Sequence, residues 1–143
     1  MVSRKILYLT AIIAICTPFR VLPDEDCRLF LVLTTPDTQT QLMALELTTQ
    51  LTRDQQPVQI LLCGAAGDIA FTGSEEVILK PINKSPRMIL KSLIESGVTV
   101  QVCPLYLPNK GISAEDLIDG VTQAKSPLVA KMLLEHGVKV VTF

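Results

Sequence analysis

Cysteine has the widest chemical range of any residue in this chain, since a thiolate serves as nucleophile, sulfur carrier and redox centre. Cys63 and Cys103 each close an apolar run, Val58–Cys63 and Val98–Cys103. Each therefore falls at the carboxyl end of a predicted strand. Cys27 precedes the run Leu29–Leu33 and so sits at the opposite end of its strand. Cys103 is the candidate nucleophile. The segment after it, Pro104-Leu105-Tyr106-Leu107-Pro108-Asn109-Lys110-Gly111, holds two prolines, and Pro104 stiffens the chain beside the sulfur without supplying an N–H. Free N–H groups at a nearby helix start, or Lys110, could support a thiolate there. The competing reading is an inert thiol packed at a strand end, for free cysteine is among the most buried residue types.

Cys63 can be a resolving or relay thiol, a disulfide partner of Cys103, or core. A disulfide needs Cα atoms within ~7 Å. Ends of neighbouring strands meet that; ends separated by a third strand, at ~4.8 Å per strand, do not. Cys27 follows Asp24-Glu25-Asp26, which makes it a poor nucleophile. It suits an intermolecular disulfide or a free buried thiol.

Gly64-Ala65-Ala66-Gly67-Asp68 follows Cys63 directly. Small residues after a parallel strand let the backbone approach a ligand or a neighbouring element. The stretch is neither G-x-G-x-x-G nor a Walker A loop, so no nucleotide is implied. Asp68 either orients a ligand or caps the following turn. Gly64, Asp68, Tyr106 and Lys110 are thus candidate pocket residues around Cys103, with Tyr106 alternatively packing against another subunit. There is no C-x-x-C, and with one His and no Cys/His cluster neither a metal nor a cofactor is expected. His136 reads as a last-turn cation at a helix C-terminus. Glu115, Asp116 and Asp119 read as an exposed acidic face.

These residues must be positioned by alternating strands and helices. Leu29–Leu33 is apolar throughout, as in a parallel strand buried on both faces. Asp37 caps a helix running to about Arg53, with Leu42, Leu45 and Leu51 on one stripe. Pro57 opens the strand Val58–Cys63. From Ile69 to Asn83 the pattern is weaker, and Val77-Ile78-Leu79 is a short strand or a buried loop anchor. Lys84-Ser85-Pro86 and Lys125-Ser126-Pro127 each open a helix with Ser at the N-cap and Pro at its first position. These helices end at Gly97 and Gly137, and each leads into a strand, Val98–Cys103 and Val138–Thr142. The likeness of the two units follows from shared helix–strand grammar rather than from duplication. Ser113-Ala114-Glu115-Asp116 resembles a capping box opening a short helix to Gly120. Short α/β connections force right-handed crossovers. The expected fold is therefore a mostly parallel sheet of four to five strands with helices on both faces, its sites beyond the carboxyl strand ends.

At 143 residues the chain is about one domain. Aromatic content is 4% with no Trp, against stacking platforms for single-stranded nucleic acid. Arg4 and Lys5 followed by apolar Ile6–Ile15 read as a secretory leader, too short to span the ~30 Å of a bilayer. Pro18 and Pro23 break the segment. The expectation is a signal peptide over residues 1–23, a domain over 24–143, a periplasmic or secreted location and no stable membrane insertion after cleavage. A lipidated Cys16 is disfavoured by the bulky Ile15 before it. Losing Arg4, Lys5 and Arg20 would take the net charge from −1 to −4, without a basic stripe for nucleic acid. The mature chain would keep Cys27, Cys63 and Cys103, an odd number in an oxidising compartment.

Around Cys103 the pattern resembles the DsrE/DsrF-like (YchN- and TusD-type) sulfur-relay family. The resemblance rests on the Ser85-Pro86 helix, Gly97-Val98-Thr99-Val100-Gln101-Val102-Cys103, the proline-rich loop to Gly111, Asp116–Val121 and the closing strand Val138–Thr142. With the earlier strand–helix–strand it covers about Leu29 to Phe143. It implies a three-layer α/β/α sandwich, a trimer or hexamer, and a persulfide on Cys103 exchanged with a donor or acceptor protein. Relay members act in the cytoplasm, and their context differs at Pro104 and Leu105-Tyr106-Leu107. Three functions follow as expectations: a sulfur carrier using Cys103, a non-catalytic binding or assembly subunit, and a thiol redox protein using Cys63 and Cys103.

Overall fold

The computed structural model describes residues 27–143; the expected leader, residues 1–23, and Cys16 lie outside the described residues. Strand β1 (Arg28–Leu33) leads through helix α1 (Thr38–Arg53) to β2 (Val58–Leu62). A 3-10 helix, Gly64–Ala70, and a long loop lead to α2 (Pro86–Glu95) and β3 (Thr99–Val102). A short helix α3 (Tyr106–Lys110) and a 3-10 turn (Ala114–Asp116) precede β4 (Val121–Gln123). Helix α4 (Ser126–Leu133) and β5 (Val138–Thr142) complete the domain.

The five strands form one sheet in the order β4-β3-β2-β1-β5, every neighbouring pair parallel. The chain builds from β1 to β4 in one direction, then crosses to the far side of β1. One face carries the larger core, where Leu31, Leu33, Ile60, Leu62, Val100 and Val102 meet α1 and α2. The other carries a smaller cluster of Phe30, Leu61 and Ala124 under Val129 and Met132 of α4. The domain is thus the expected three-layer α/β/α sandwich, with an unequal back layer. Alternation along each inner strand sends successive side chains to opposite faces, and both faces are covered, so the strands read as unbroken apolar runs.

Helix α1 starts where expected: the Asp37 carboxylate accepts from the Thr40 N–H at 2.8 Å. Its buried stripe is Gln41, Leu42, Ala44, Leu45 and Thr48, one face at a 3–4 residue repeat, while Leu51 is only partly buried. In α2, Ser85 is the N-cap, its hydroxyl accepting from the Met88 N–H at 3.0 Å, with Pro86 opening the first turn.

The structure departs from the sequence reading in five places. Val77 and Ile78 form no strand and stand exposed; Leu79 alone packs on the core, beside a single bridge to Lys84. The capping box at Ser113 exists, but it caps a 3-10 turn rather than a helix to Gly120, because Leu117 and Ile118 turn into the core. The fifth strand is instead β4, three residues with no period of their own. In α4 the N-cap is Lys125 rather than Ser126, and the helix stops at Leu133, which leaves His136 in the turn beyond it rather than in a last helical turn. Finally, Tyr106–Lys110 is a short helix where a loop was expected, closed by Gly111 at φ +69°, a left-handed conformation that favours glycine.

Candidate functional site

The register of the sheet brings the two strand-end thiols together. Strands β2 and β3 are neighbours, with Leu62 opposite Val102, so Cys63 and Cys103 are the next pair along. The Cys103 N–H donates to the Leu62 carbonyl at 2.7 Å, which carries the ladder one residue past the strand ends. Both thiols are free. Burial pushes the Cys63 thiol up to about 12, reinforced by the nearby Cys103 thiol. Cys63 therefore stays protonated through the ordinary pH range. Cys27 lies at the amino end of β1, on the other edge of the sheet, as its place in the sequence predicts.

Cys103 lines a pocket of about 310 Å³ at the carboxyl edge of the sheet, between the 3-10 helix Gly64–Ala70 and α3. Gly64, Ala65 and Asp68 form one wall; Leu105, Tyr106 and Lys110 form the other. The four candidate pocket residues named from the sequence all line it. Cys63 does not: it packs against the back cluster, whereas half-buried Cys103 packs against the front core and opens to the pocket.

Asp68 organises the wall. One of its oxygens accepts from the Tyr106 hydroxyl at 2.7 Å and from Lys110 Nζ at 2.6 Å. Burial acts to raise its carboxyl, but the hydrogen bonds from Lys110 and Tyr106 and the lysine's charge outweigh it and hold the group below 3.8. Burial and the bond to Asp68 together push the Tyr106 hydroxyl well above its ordinary value, so it remains a donor. Lys110 also stands over the Phe71 ring, 5.4 Å from its centroid. Asp68, which lines the pocket, also joins α3 to the 3-10 helix.

Two further features support the pocket wall. Gly67 faces the Tyr106 ring so closely that a Cβ there would collide with it. Hence the small residue serves a neighbouring element, the second of the two uses foreseen for this stretch. Arg87, 9% exposed, lies under the 3-10 helix. Its guanidinium donates to the carbonyls of Ile69 (3.0 Å), Asp68 (3.3 Å), Phe71 (2.8 Å) and Ser74 (3.0 Å). Carbonyls at the end of a helical turn carry partial negative charge, so they satisfy a buried cation that has no carboxylate partner among the described residues. The only signal available was a basic residue inside the second helix, which ordinarily points to solvent. Among the described residues, no three His, Cys, Asp or Glu side chains cluster as metal ligands do. None of the described helices is long and apolar enough to cross a membrane.

An all-parallel three-layer sandwich with a cysteine opening into a strand-end pocket defines a class of thiol-bearing α/β domains. Comparison with solved structures narrows this to one fold. The ychN protein of E. coli matches with a TM-score of 0.66 at 21% identity, over 82% of this chain and 98% of that one. A protein of unknown function from Methanobacterium thermoautotrophicum matches at 0.61 and 17% identity, over 82% of this chain and 99% of its own. A conserved protein of unknown function from Bacteroides thetaiotaomicron matches at 0.54 and 19% identity, over 85% and 99%. The chain therefore has the DsrE/YchN-type fold expected from the resemblance. No protein-family model matches the sequence, and no curated protein resembles it in sequence.

Proposed function

We propose that this chain is a thiol-based sulfur carrier in which Cys103 accepts sulfane sulfur as a persulfide. The observation that carries this reading is the Cys103 sulfur, half-buried, opening into a pocket beyond the carboxyl end of a parallel sheet. The Cys103 thiolate would attack the outer sulfur of a persulfide or polysulfide donor, and the donor's remaining thiolate would leave. One S–S bond forms as one breaks, so no oxidant is needed. Lys110, on the pocket wall, supplies positive charge beside an anionic donor. Gly64 and Ala65 leave that side of the pocket free of bulk.

The resemblance extends the reading to a donor or acceptor protein and to a homo-oligomer, trimeric or hexameric. An oligomer is favoured by exposed apolar residues just past α4 and on edge strand β5, among them Leu134, Val140 and Val141. A periplasmic or secreted location belongs to the same proposal and rests on the leader pattern of residues 1–23.

The test is chemical. After incubation of the folded Cys63→Ser variant, in which Cys103 has no neighbouring thiol, with polysulfide, peptide mapping is expected to find a gain of one sulfur atom on Cys103 and none on Cys27. Alkylation of the native protein should label Cys103 without denaturant. A Cys103 that resists alkylation until unfolding, with no sulfur adduct under any donor, would replace this reading with the binding or assembly subunit.

A further inference from the structure

Cys63 has no part in the uptake step, yet its placement is too specific for packing alone. It follows β2 as Cys103 follows β3, one register step past the Leu62–Val102 pair. Neighbouring parallel strands run ~4.8 Å apart, inside the range of Cα separations, ~4.4–6.8 Å, that a disulfide spans. The Cys103 N–H, bonded to the Leu62 carbonyl at 2.7 Å, holds the two strand ends in that register. At the same time Cys63 is withdrawn from the pocket and packed with Phe30 and Leu61, so a donor entering the pocket meets Cys103 first.

Resting on the reading of Cys103 as a sulfur carrier, we propose that Cys63 is the resolving thiol that discharges it. Cys63 attacks the inner sulfur, Sγ of Cys103, closes a Cys63–Cys103 disulfide and expels the cargo as sulfide. The step balances without solvent. A loaded Cys103 ends in an anionic terminal sulfur, Cys103–S–S⁻. The Cys63 sulfur forms the new S–S bond, and its proton leaves on the departing sulfur as HS⁻. The sulfane sulfur is reduced to sulfide and the two cysteines are oxidised to a disulfide. An external dithiol, itself becoming a disulfide, returns both to thiols.

Two features of the pair suit this division of labour. A Cys63 that keeps its proton does not compete with Cys103 for the donor. That proton also has a short path to the leaving group, since Cys63 and Cys103 follow paired residues of neighbouring strands. The protein so described would convert polysulfide and dithiol into sulfide, rather than hand on a persulfide unchanged.

The experiment compares the full chain with Cys63→Ser and Cys103→Ser, each loaded with inorganic polysulfide, desalted, and followed for released sulfide and for the state of each cysteine. The wild type is expected to release about one sulfide per chain as the Cys63 and Cys103 peptides become disulfide-linked. Cys63→Ser should keep the extra sulfur on Cys103 and release none until dithiothreitol is added; Cys103→Ser should load nothing. Cys63→Ala repeats the loading test should the serine variant fold poorly. A wild type that retains its persulfide as long as Cys63→Ser, with no disulfide, overturns the resolving role and leaves uptake standing. Failure of both Cys63 variants to load sulfur overturns uptake itself, and the resolving role with it.

Discussion

Asp68 is the residue on which the pocket wall turns. Its carboxylate is bonded by Tyr106 and Lys110 from α3, and it belongs to the 3-10 helix. Because folding lowers its pKa from 3.8, the ionised form is favoured in the native state, and its contribution is present above that value. The contribution disappears as pH falls through the lower folded value. The side chain is 43% exposed, so solvent screening keeps the effect in the range of surface ion pairs, ~0.2–1 kcal/mol. Asp68→Asn is accordingly expected to lower stability by about that much near neutrality. The gap to wild type should close as the pH is taken below 3.8, which urea titrations at a series of pH values would measure. A gap independent of pH would mean that the carboxylate's charge contributes nothing. At this scale the sequence was informative about which residues gather, since Gly64, Asp68, Tyr106 and Lys110 all flank strand-end cysteines. It was silent on their pairing, because Asp68 and Tyr106 are 38 positions apart and only folded chains bring them together.

Among the elements, the 3-10 helix Gly64–Ala70 and α3 set the width of the pocket by how closely they approach. The approach depends on Gly67, which lets the Tyr106 ring lie against the backbone. A methyl group in that space must push the ring away, and overpacking of this kind costs typically ~1–3 kcal/mol. Gly67→Ala should therefore destabilise the fold by about that amount, measurable by urea unfolding, and should separate the Tyr106 hydroxyl from Asp68. Unchanged stability would place the ring and backbone farther apart than described. Strands and the two long helices were readable because their signals are local: caps at Asp37 and Ser85, apolar runs, glycine stops. Strand β4 and helix α3 were not, since three and five residues hold too little pattern to outweigh their surroundings. Tertiary contacts impose them: Val121 sits beside Val100, and Tyr106 and Leu107 are buried in the core.

Across the whole molecule the two sheet faces are unequal. The face under α1 and α2 is thickly covered, whereas α4 has no fully buried residue and β5 is an edge strand with Val140 and Val141 exposed. An uncovered parallel edge of β-branched residues exposes unpaired backbone groups and invites a partner. Leu134, 87% exposed at the end of α4, extends the apolar surface. If identical subunits cover this surface, sedimentation should give an oligomer of three or six chains, and Leu134→Lys combined with Val141→Lys should shift it to smaller species. A wild type that sediments as a monomer at micromolar concentration would remove the assembly from the proposal.

Local periodicity was enough to establish the order of the main strands and helices, the parallel character of the sheet and the edge on which each cysteine lies. These depend on interactions within a few residues, and the side-chain alternation of a strand and the capping of a helix leave their mark in composition. That Cys63 and Cys103 are partners, that Gly67 makes room for Tyr106 and that Arg87 holds the 3-10 helix were decided only by the tertiary structure. Each depends on how elements separated along the chain pack against one another, and no local spacing encodes a contact that packing alone brings about.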